Sequence, residues 1–441
     1  MPKNLAQLAC AYHAQKKPGK LATQITKPCT TQNDLSLAYT PGVGLVCLAI
    51  AQDKRKADLY TNKANFVAVL SDGSAVLGLG DIGPLASYPV MEGKGVLFKK
   101  FADIDVAPIC LNSRNAQGKI DVKKVLTIAS SLEPTFGGIN LEDIKAPECF
   151  AIEEKLKAQL KIPVFHDDQH GTAIIVLAAL LNSLQLAQKK ISQIKCVFVG
   201  AGAACLATAE LFLAAGAQKE NLTLIDSQGI IYAGRSKLNL YKKKFALKTK
   251  KRTLAQAIQG ADVFIGVSRR DLLTPDLVQS MAPKAIIFAL ANPWPEILPK
   301  VAQKAGGFIV GTGRSDFPNQ INNVLGFPGI FRGALDTHAR EINTAMKLAA
   351  AKALAALAQE KIPFPVQKIL QKAYPKEMAG KKINFSQPLQ PNFILPKPLD
   401  PRVVPRVARA VVTAAFQTKV NQVPKFDLAA YEKAVAKRTK N

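Results

Sequence analysis

Between Lys195 and Asp226 the chain runs KCVFVG, GAGAAC, ATAELFLAAGA and NLTLID in overlapping succession. An apolar run, a glycine turn, an apolar helix pattern and a second apolar run make a strand–turn–helix–strand unit. Such a crossover forces its two strands to be parallel. Three later segments, ADVFIGVS, AIIFALANP and GGFIVGTG, each read as a short buried strand ending in a Gly, Ser or Asn loop, as strands of a doubly wound parallel sheet do. The middle of the chain is therefore α/β.

Gly200 and Gly202 sit in the turn of that unit, Ala203 and Ala204 open its helix, and Asp226 ends its second strand 24 residues after Gly202. Glycines there let a backbone approach a pyrophosphate at a helix N-terminus, and the acid can bond ribose hydroxyls. Any tight strand-to-helix turn also wants glycine, but the complete βαβ frame favours a dinucleotide. Cys205 takes the third fingerprint position, where Gly or Ala is usual. Asp226 leans towards NAD because a carboxylate repels the 2′-phosphate of NADP. Against that, Ser227 to Ala261 hold no acid, while Arg235, Lys237, Lys242, Lys243, Lys244, Lys248, Lys250, Lys251 and Arg252 crowd the segment. The choice between NAD and NADP stays open.

Upstream, the segment from about Phe66 to Cys110 alternates β-rich runs (FVAVL, GVLFKK) with the glycine-dense SDGSAVLGLGDIGP, a second α/β region. Near Pro163 the pattern changes to PVFHDDQHGTAIIVLAALLNSLQLAQ, which is apolar all round from Ala173 and predicts a helix buried on every face. Three acidic pairs stand out: Asp103 and Asp105, Glu142 and Asp143, Asp167 and Asp168. Adjacent carboxylates repel unless a cation or base lies between them, so paired acids beside glycines suggest a divalent ion with hard oxygen ligands. Asp167 and Asp168 also precede the apolar helix, where its dipole favours negative charge.

With 441 residues, 48% of them hydrophobic and 21% charged, the chain has material for two or three packed domains, which excludes a disordered tail protein and a small disulfide scaffold. Seven cysteines without a C-x-x-C pair indicate neither a disulfide framework nor a zinc knuckle, and point to a reducing compartment. The first twenty residues lack the continuous apolar core of a secretory signal, so a cytoplasmic chain is expected. The most apolar windows, Ala173 to Leu181 and Leu348 to Leu357, are shorter than the roughly 18 residues of a spanning helix, so no membrane partner is expected. A formal charge of +27 raises nucleic acid as a partner. The surplus is mostly scattered lysine, however, with only Tyr241 and Phe245 inside the basic segment to stack on bases, so nucleic acid is not the expected partner.

Read in order, YTPGVG, SDGSAVLGLGDIGP, PVMEGKGVLFK, FADIDV, INLEDIKAPECF, FHDDQHGTA, FVGAGAA, ADVFIGVS, ALANPWPEI and RSDFPNQINNVLGFPGIFRGAL closely resemble the bacterial malic enzymes, from about residue 30 to about residue 415. The resemblance implies oxidation of L-malate with NAD or NADP and a divalent metal, Mg2+ or Mn2+, then decarboxylation to pyruvate. It implies Lys94 as general base, a role suited to a lysine whose pKa is lowered, with Asp167 orienting it. Tyr39 would deliver a proton to C3, a task that needs cations such as Lys94 nearby. Glu142, Asp143 and Asp168 would be metal ligands, and Asn292 and Asn323 would touch substrate or nicotinamide. Taken alone, Tyr39 reads as a turn-packing aromatic and Lys94 as a surface lysine; their matched motifs reverse that. Asp103 and Asp105 are read as structural, supporting the metal loop or a dimer contact, and His166 and His170 are given no catalytic role. Ala75 stands where larger relatives carry an arginine that grips the substrate, so the holder of the C4 carboxylate is open. A metal-dependent oxaloacetate decarboxylase or a related dehydrogenase is the alternative.

The expected architecture is an N-terminal α/β catalytic domain (1–162), a Rossmann-type nucleotide-binding domain with a doubly wound parallel sheet (163–390), and a C-terminal helical segment (391–441) folding back on the catalytic domain. The active site would lie between the first two, and the chain would be a homodimer joined through its N-terminal segment.

Overall fold

The computed structural model describes residues 4–15, 17–76, 78–378 and 383–439; Leu77 of the glycine-dense motif and the last two residues of the basic tail lie outside them. Ten strands form two sheets. In the first, β1 (Phe66–Ser71), β2 (Asp105–Cys110), β3 (Gly138–Leu141) and β4 (Val164–His166) lie in the order β2-β1-β3-β4, all parallel. Parallel strands covered on both faces read as unbroken apolar runs, and Val67 to Leu70 of β1 are fully buried. β4 lies beyond the expected limit at 162 but completes this sheet, paired with β3 (Ile139 opposite Val164), and its Phe165 is fully buried.

The second sheet contains β5 (Cys196–Val199), β6 (Leu222–Asp226), β7 (Gly229–Ile230), β8 (Val263–Gly266), β9 (Ile286–Ala289) and β10 (Ile309–Thr312), in the order β10-β9-β8-β5-β6-β7. Only β7 runs antiparallel, as a short return beside β6. The order reverses at β5, between β6 and β8, and the strand-end crevice at such a switch point is where ligands bind in open α/β sheets.

The Asp167–Ala187 helix starts directly from β4 and is buried on all sides along its apolar length, as its pattern predicts. It packs on the Ala203–Ala214 and Thr344–Gln359 helices, and its first two residues, both acids, follow directly on β4 of the first sheet. Phe98, from the Gly83–Ala102 helix, meets Phe327 and Phe331 of the Phe327–Asp336 helix at ring separations of 4.7 and 5.1 Å, which ties the two halves together. In the C-terminal segment, the Val403–Gln417 helix packs on Phe327–Asp336. Arg438 of the last helix bonds Asp103 and Asn65 of the first half. Asp103 and Asp105 therefore hold Lys99 and this C-terminal contact, not the acidic loop at Glu142.

Among the described residues, two stretches are long and apolar enough to span a bilayer by composition. Asp167–Ala187 is largely buried inside the protein. The other, Gln32–Gln52, corrects the window reading above. It is made of two helices, Gln32–Ala38 and Gly42–Gln52, separated at Tyr39 to Pro41, and neither has a buried residue. Helices of 7 and 11 residues are each too short to cross about 30 Å of hydrocarbon.

Candidate active site

Lys94 sits in the middle of the Gly83–Ala102 helix and is 7% exposed. Its Nζ lies 2.6 Å from Asp167 Oδ2 and 2.8 Å from Glu142 Oε1, and 4.5 Å over the ring of Phe327. Asn323 Nδ2 donates to the same Asp167 oxygen at 2.7 Å, so lysine and amide hold one carboxylate from two directions. Gly171 is required one turn further along the helix, since a Cβ there would lie 1.8 Å from Asp167 Oδ1.

Glu142 follows β3 and accepts from the buried Asn140 Nδ2 at 2.9 Å. Asp143 has a left-handed backbone (φ 56°), and its N–H donates to Asp168 Oδ2 at 2.7 Å. One ligand atom from each of Glu142, Asp143 and Asp168 falls within 4.8 Å of the others. The SDGS turn buttresses this loop: Lys145 N–H donates to Ser74 Oγ, Ala75 N–H donates to Asp143 O, and Asp72 accepts from Ser74 and Ser113. Asn140, Asp72 and Ser113 were not singled out from sequence. Their signal was only that Asp72 and Ser74 fall inside the glycine-dense motif and Asn140 beside the acidic pair.

Four acids against one lysine leave this buried cluster with an excess of negative charge. Burial pushes Asp167 up to about 6 and raises Glu142 and Asp168 as well. For Lys94, burial is the largest influence and lowers its pKa, but Asp167, Glu142 and Asp168 together outweigh it and hold the ammonium charged. That is opposite to the lowered lysine expected, because acids rather than cations surround it. Three hard carboxylate donors with surplus charge fit a divalent cation such as Mg2+ or Mn2+. Neither histidine is in that set: His170 pairs with Glu153 at 2.8 Å, and His166 is fully buried behind the acids.

At the second sheet, Gly200 (φ 102°) needs glycine twice, since a Cβ would also meet Val267 O at 2.5 Å. Gly202 is the N-cap of the Ala203–Ala214 helix, and a Cβ there would meet nothing nearer than Gly200 O at 3.9 Å, so a ligand can approach the unpaired N–H groups of the first turn, at Ala203 and Ala204. Asp226 stands beside this turn but is not free: Arg235 Nη2 bonds both its oxygens at 2.7 Å, and Lys242 Nζ lies 2.7 Å from Oδ2. These ion pairs, more than offsetting the effect of burial, hold its pKa below the usual carboxylate value.

Asn292 lies in the loop after β9, where its carbonyl would lie 2.5 Å from a Cβ on Gly78 of the first half. Gly78 therefore allows the two halves to approach. Nearby, the fully buried Glu296 accepts from the N–H groups of Ser268 and Ala291 and ties two loops of the second sheet, a role not foreseen from its place in ANPWPEI. Asn323, expected to touch substrate or nicotinamide, lies at the cluster and donates its amide to Asp167. Tyr39 is not brought to the cluster: it ends the Gln32–Ala38 helix and is 74% exposed.

Residues 18–157 match the malic enzyme N-terminal domain and residues 169–373 the malic enzyme NAD binding domain. The chain is 51% identical over 419 residues to the NADP-dependent malic enzyme of Halomonas elongata, covering 95% of each. It is 50% identical over 431 residues to the NAD-dependent malic enzyme of Rhizobium meliloti, covering 97% of this chain and 54% of that one. It thus spans about half the length of several curated relatives. The crystal structure of malic enzyme from Pyrococcus horikoshii superposes with a TM-score of 0.87 at 41% identity, covering 99% of this chain and 96% of that one. With its two sheets, the buried lysine among carboxylates and both domain matches in order, the chain belongs to the malic enzyme family.

Proposed function

We propose that this chain oxidises L-malate with NADP or NAD, releases the C4 carboxylate as CO2 and yields pyruvate. The observation that supports this most is Lys94, buried between Asp167 and Glu142 at the edge of a three-carboxylate cluster. Lys94 takes the proton of the C2 hydroxyl, and Asp167, held by Asn323, aims the ammonium group. For this the lysine must first be neutral. With Glu142 and Asp168 engaged as ligands, less negative charge bears on Lys94, and desolvation lowers its pKa. A divalent ion held by Glu142, Asp143 and Asp168 would supply Lewis-acid stabilisation of charge on the C2 oxygen. The nicotinamide would accept hydride from C2, and the Gly200 to Ala204 turn would hold the nucleotide's pyrophosphate. Asn292, in the loop after β9, contacts substrate or nicotinamide.

Tyr39 delivers the proton to C3 after CO2 departs, and a second copy of the chain supplies it. Two features support this. The phenol stands exposed on the same chain whose Lys94 is buried, and Leu35, Leu37, Leu45 and Leu48 around it are all more than half exposed, an apolar face that a homodimer would cover. The seven free thiols fit a cytoplasmic setting.

The test is turnover of L-malate with Mn2+ and either nucleotide, following absorbance at 340 nm and pyruvate together. Equal yields of reduced nucleotide and pyruvate, lost in Lys94→Ala, are expected. Pyruvate from oxaloacetate without any malate-dependent reduction would favour the simple decarboxylase instead.

A further inference from the structure

One further carboxylate is buried beside the acid pair and has no part in the chemistry above. Glu153, in the Glu148–Gln159 helix, is 4% exposed. Its Oε1 accepts from Lys157 Nζ at 2.5 Å, from His170 Nε2 at 2.8 Å and from the His166 N–H at 3.4 Å, and its Oε2 accepts from Gln169 Nε2 at 3.2 Å. An ionised carboxylate only accepts, so His170 carries a proton on Nε2. Burial works against the Glu153 charge, but His170 and Lys157 outweigh it and hold the carboxyl well below its usual pKa.

The three positions it holds, 166, 169 and 170, are spaced i, i+3 and i+4, so they share one face at the start of the Asp167–Ala187 helix. The two residues between them turn elsewhere: Asp167 meets Lys94 and Asn323, and Asp168 Oδ2 meets the Asp143 N–H. Glu153 thus grips the chain on both sides of the acid pair, and a rotation of this turn would move both acids together. The same grip fixes the backbone of His166, whose fully buried ring sets Nε2 3.7 Å from Asp168 Oδ2; neither ring nitrogen has a hydrogen-bond partner among the described residues. An apolar side chain at 153 would serve packing alone. A buried carboxylate is costly, and only its directed bonds offset that cost.

Building on the reading of Glu142, Asp143 and Asp168 as a cation site, we propose that Glu153 is a positioning residue for the reaction: by fixing positions 166, 169 and 170 it aims Asp168 at the cation and Asp167 at Lys94. Glu153 is neither a ligand nor an acid–base group. Gln169 and His170 are the arms through which it acts, and Lys157 is its counter-ion. Partners behind a ligating side chain set its orientation, and losing one costs about 10- to 100-fold in metal affinity.

The experiment titrates Mn2+ into the full chain, without malate or nucleotide, and follows free Mn2+ by its electron paramagnetic resonance signal, for the unmodified protein, Glu153→Gln and Gln169→Met. Circular dichroism and urea unfolding check that each variant folds. Glu153→Gln keeps the shape of the side chain but gives up its charge, and an amide nitrogen cannot accept from Gln169; Mn2+ should bind about 10- to 100-fold more weakly. Gln169→Met removes one arm and should weaken binding by about three- to tenfold. A role in stability alone would lower the unfolding midpoint and leave the Mn2+ affinity of the folded chain unchanged. An affinity within about threefold of the unmodified protein in folded Glu153→Gln would overturn the proposal. Where that variant does not fold, an unchanged affinity in Gln169→Met overturns it. No Mn2+ binding by the unmodified protein would overturn the cation reading and this inference together, whereas binding that persists undiminished in the variants overturns this inference alone.

Discussion

Co-expressing two inactive variants locates Tyr39 relative to Lys94. Tyr39→Phe removes the phenol that is 74% exposed, and Lys94→Ala removes the ammonium that is 7% exposed. If each site uses its own chain's Tyr39, a dimer of one variant with the other contains no complete site. If Tyr39 crosses over, one of the two sites in that mixed dimer joins the intact Lys94 of one copy to the intact Tyr39 of the other. Random pairing makes about half the dimers mixed, so about a quarter of wild-type activity returns. The interface should survive purification: covering Leu35, Leu37, Tyr39, Leu45 and Leu48 at roughly 2 kcal/mol each contributes on the order of 10 kcal/mol before the cost of association. Two affinity tags isolate the mixed dimer, where half of wild-type activity per dimer is expected. Activity no higher than that of the two parents would refute the crossover.

Three further outcomes follow from the geometry. Gly171→Ala places a methyl 1.8 Å from Asp167 Oδ1, so the carboxylate must leave Lys94 and Asn323; kcat should fall more than about tenfold and stability by about 1–3 kcal/mol, as read by turnover and urea unfolding. Lys347 is buried, and desolvation, with the Lys157 charge, pushes its pKa down to about 7. The unfolded chain then binds more protons between that value and about 10.5, so the destabilisation is fully present below pH 7 and disappears as pH rises towards 10.5. Lys347→Met should therefore stabilise by about 4 kcal/mol at pH 7 and by about half that at pH 9; a gain independent of pH would contradict it. Mn2+ at about 100 times its Kd should add about 2.7 kcal/mol to stability and raise Tm by a few degrees, and chelation or Asp168→Asn should abolish the rise.

The chain's contiguous patterns already contained much of this. The βαβ frame around Gly200 and Gly202, the apolar strands and the all-apolar helix after Asp168 are local consequences of residue order, because strand and helix periodicities and glycine turns act over a few residues. The acidic pairs were equally visible, since two adjacent carboxylates are costly wherever they are buried.

What only the tertiary structure decided is which of these groups meet. Lys94, Glu142, Asp167 and Asn323 lie far apart in the chain, and only the fold that brings together the Gly83–Ala102 helix, the end of β3, the start of the Asp167–Ala187 helix and the turn at Asn323 sets their 2.6–2.8 Å spacings. The same arrangement surrounds Lys94 with acids that raise its pKa against the effect of burial. That Arg235 and Lys242, 9 and 16 residues on, both bond the Asp226 carboxylate is likewise set by the fold. Tyr39 matched its motif but stands on an uncovered face. Sequence fixes propensities between neighbours, whereas electrostatics depends on distance through space, and only the folded chain sets that distance.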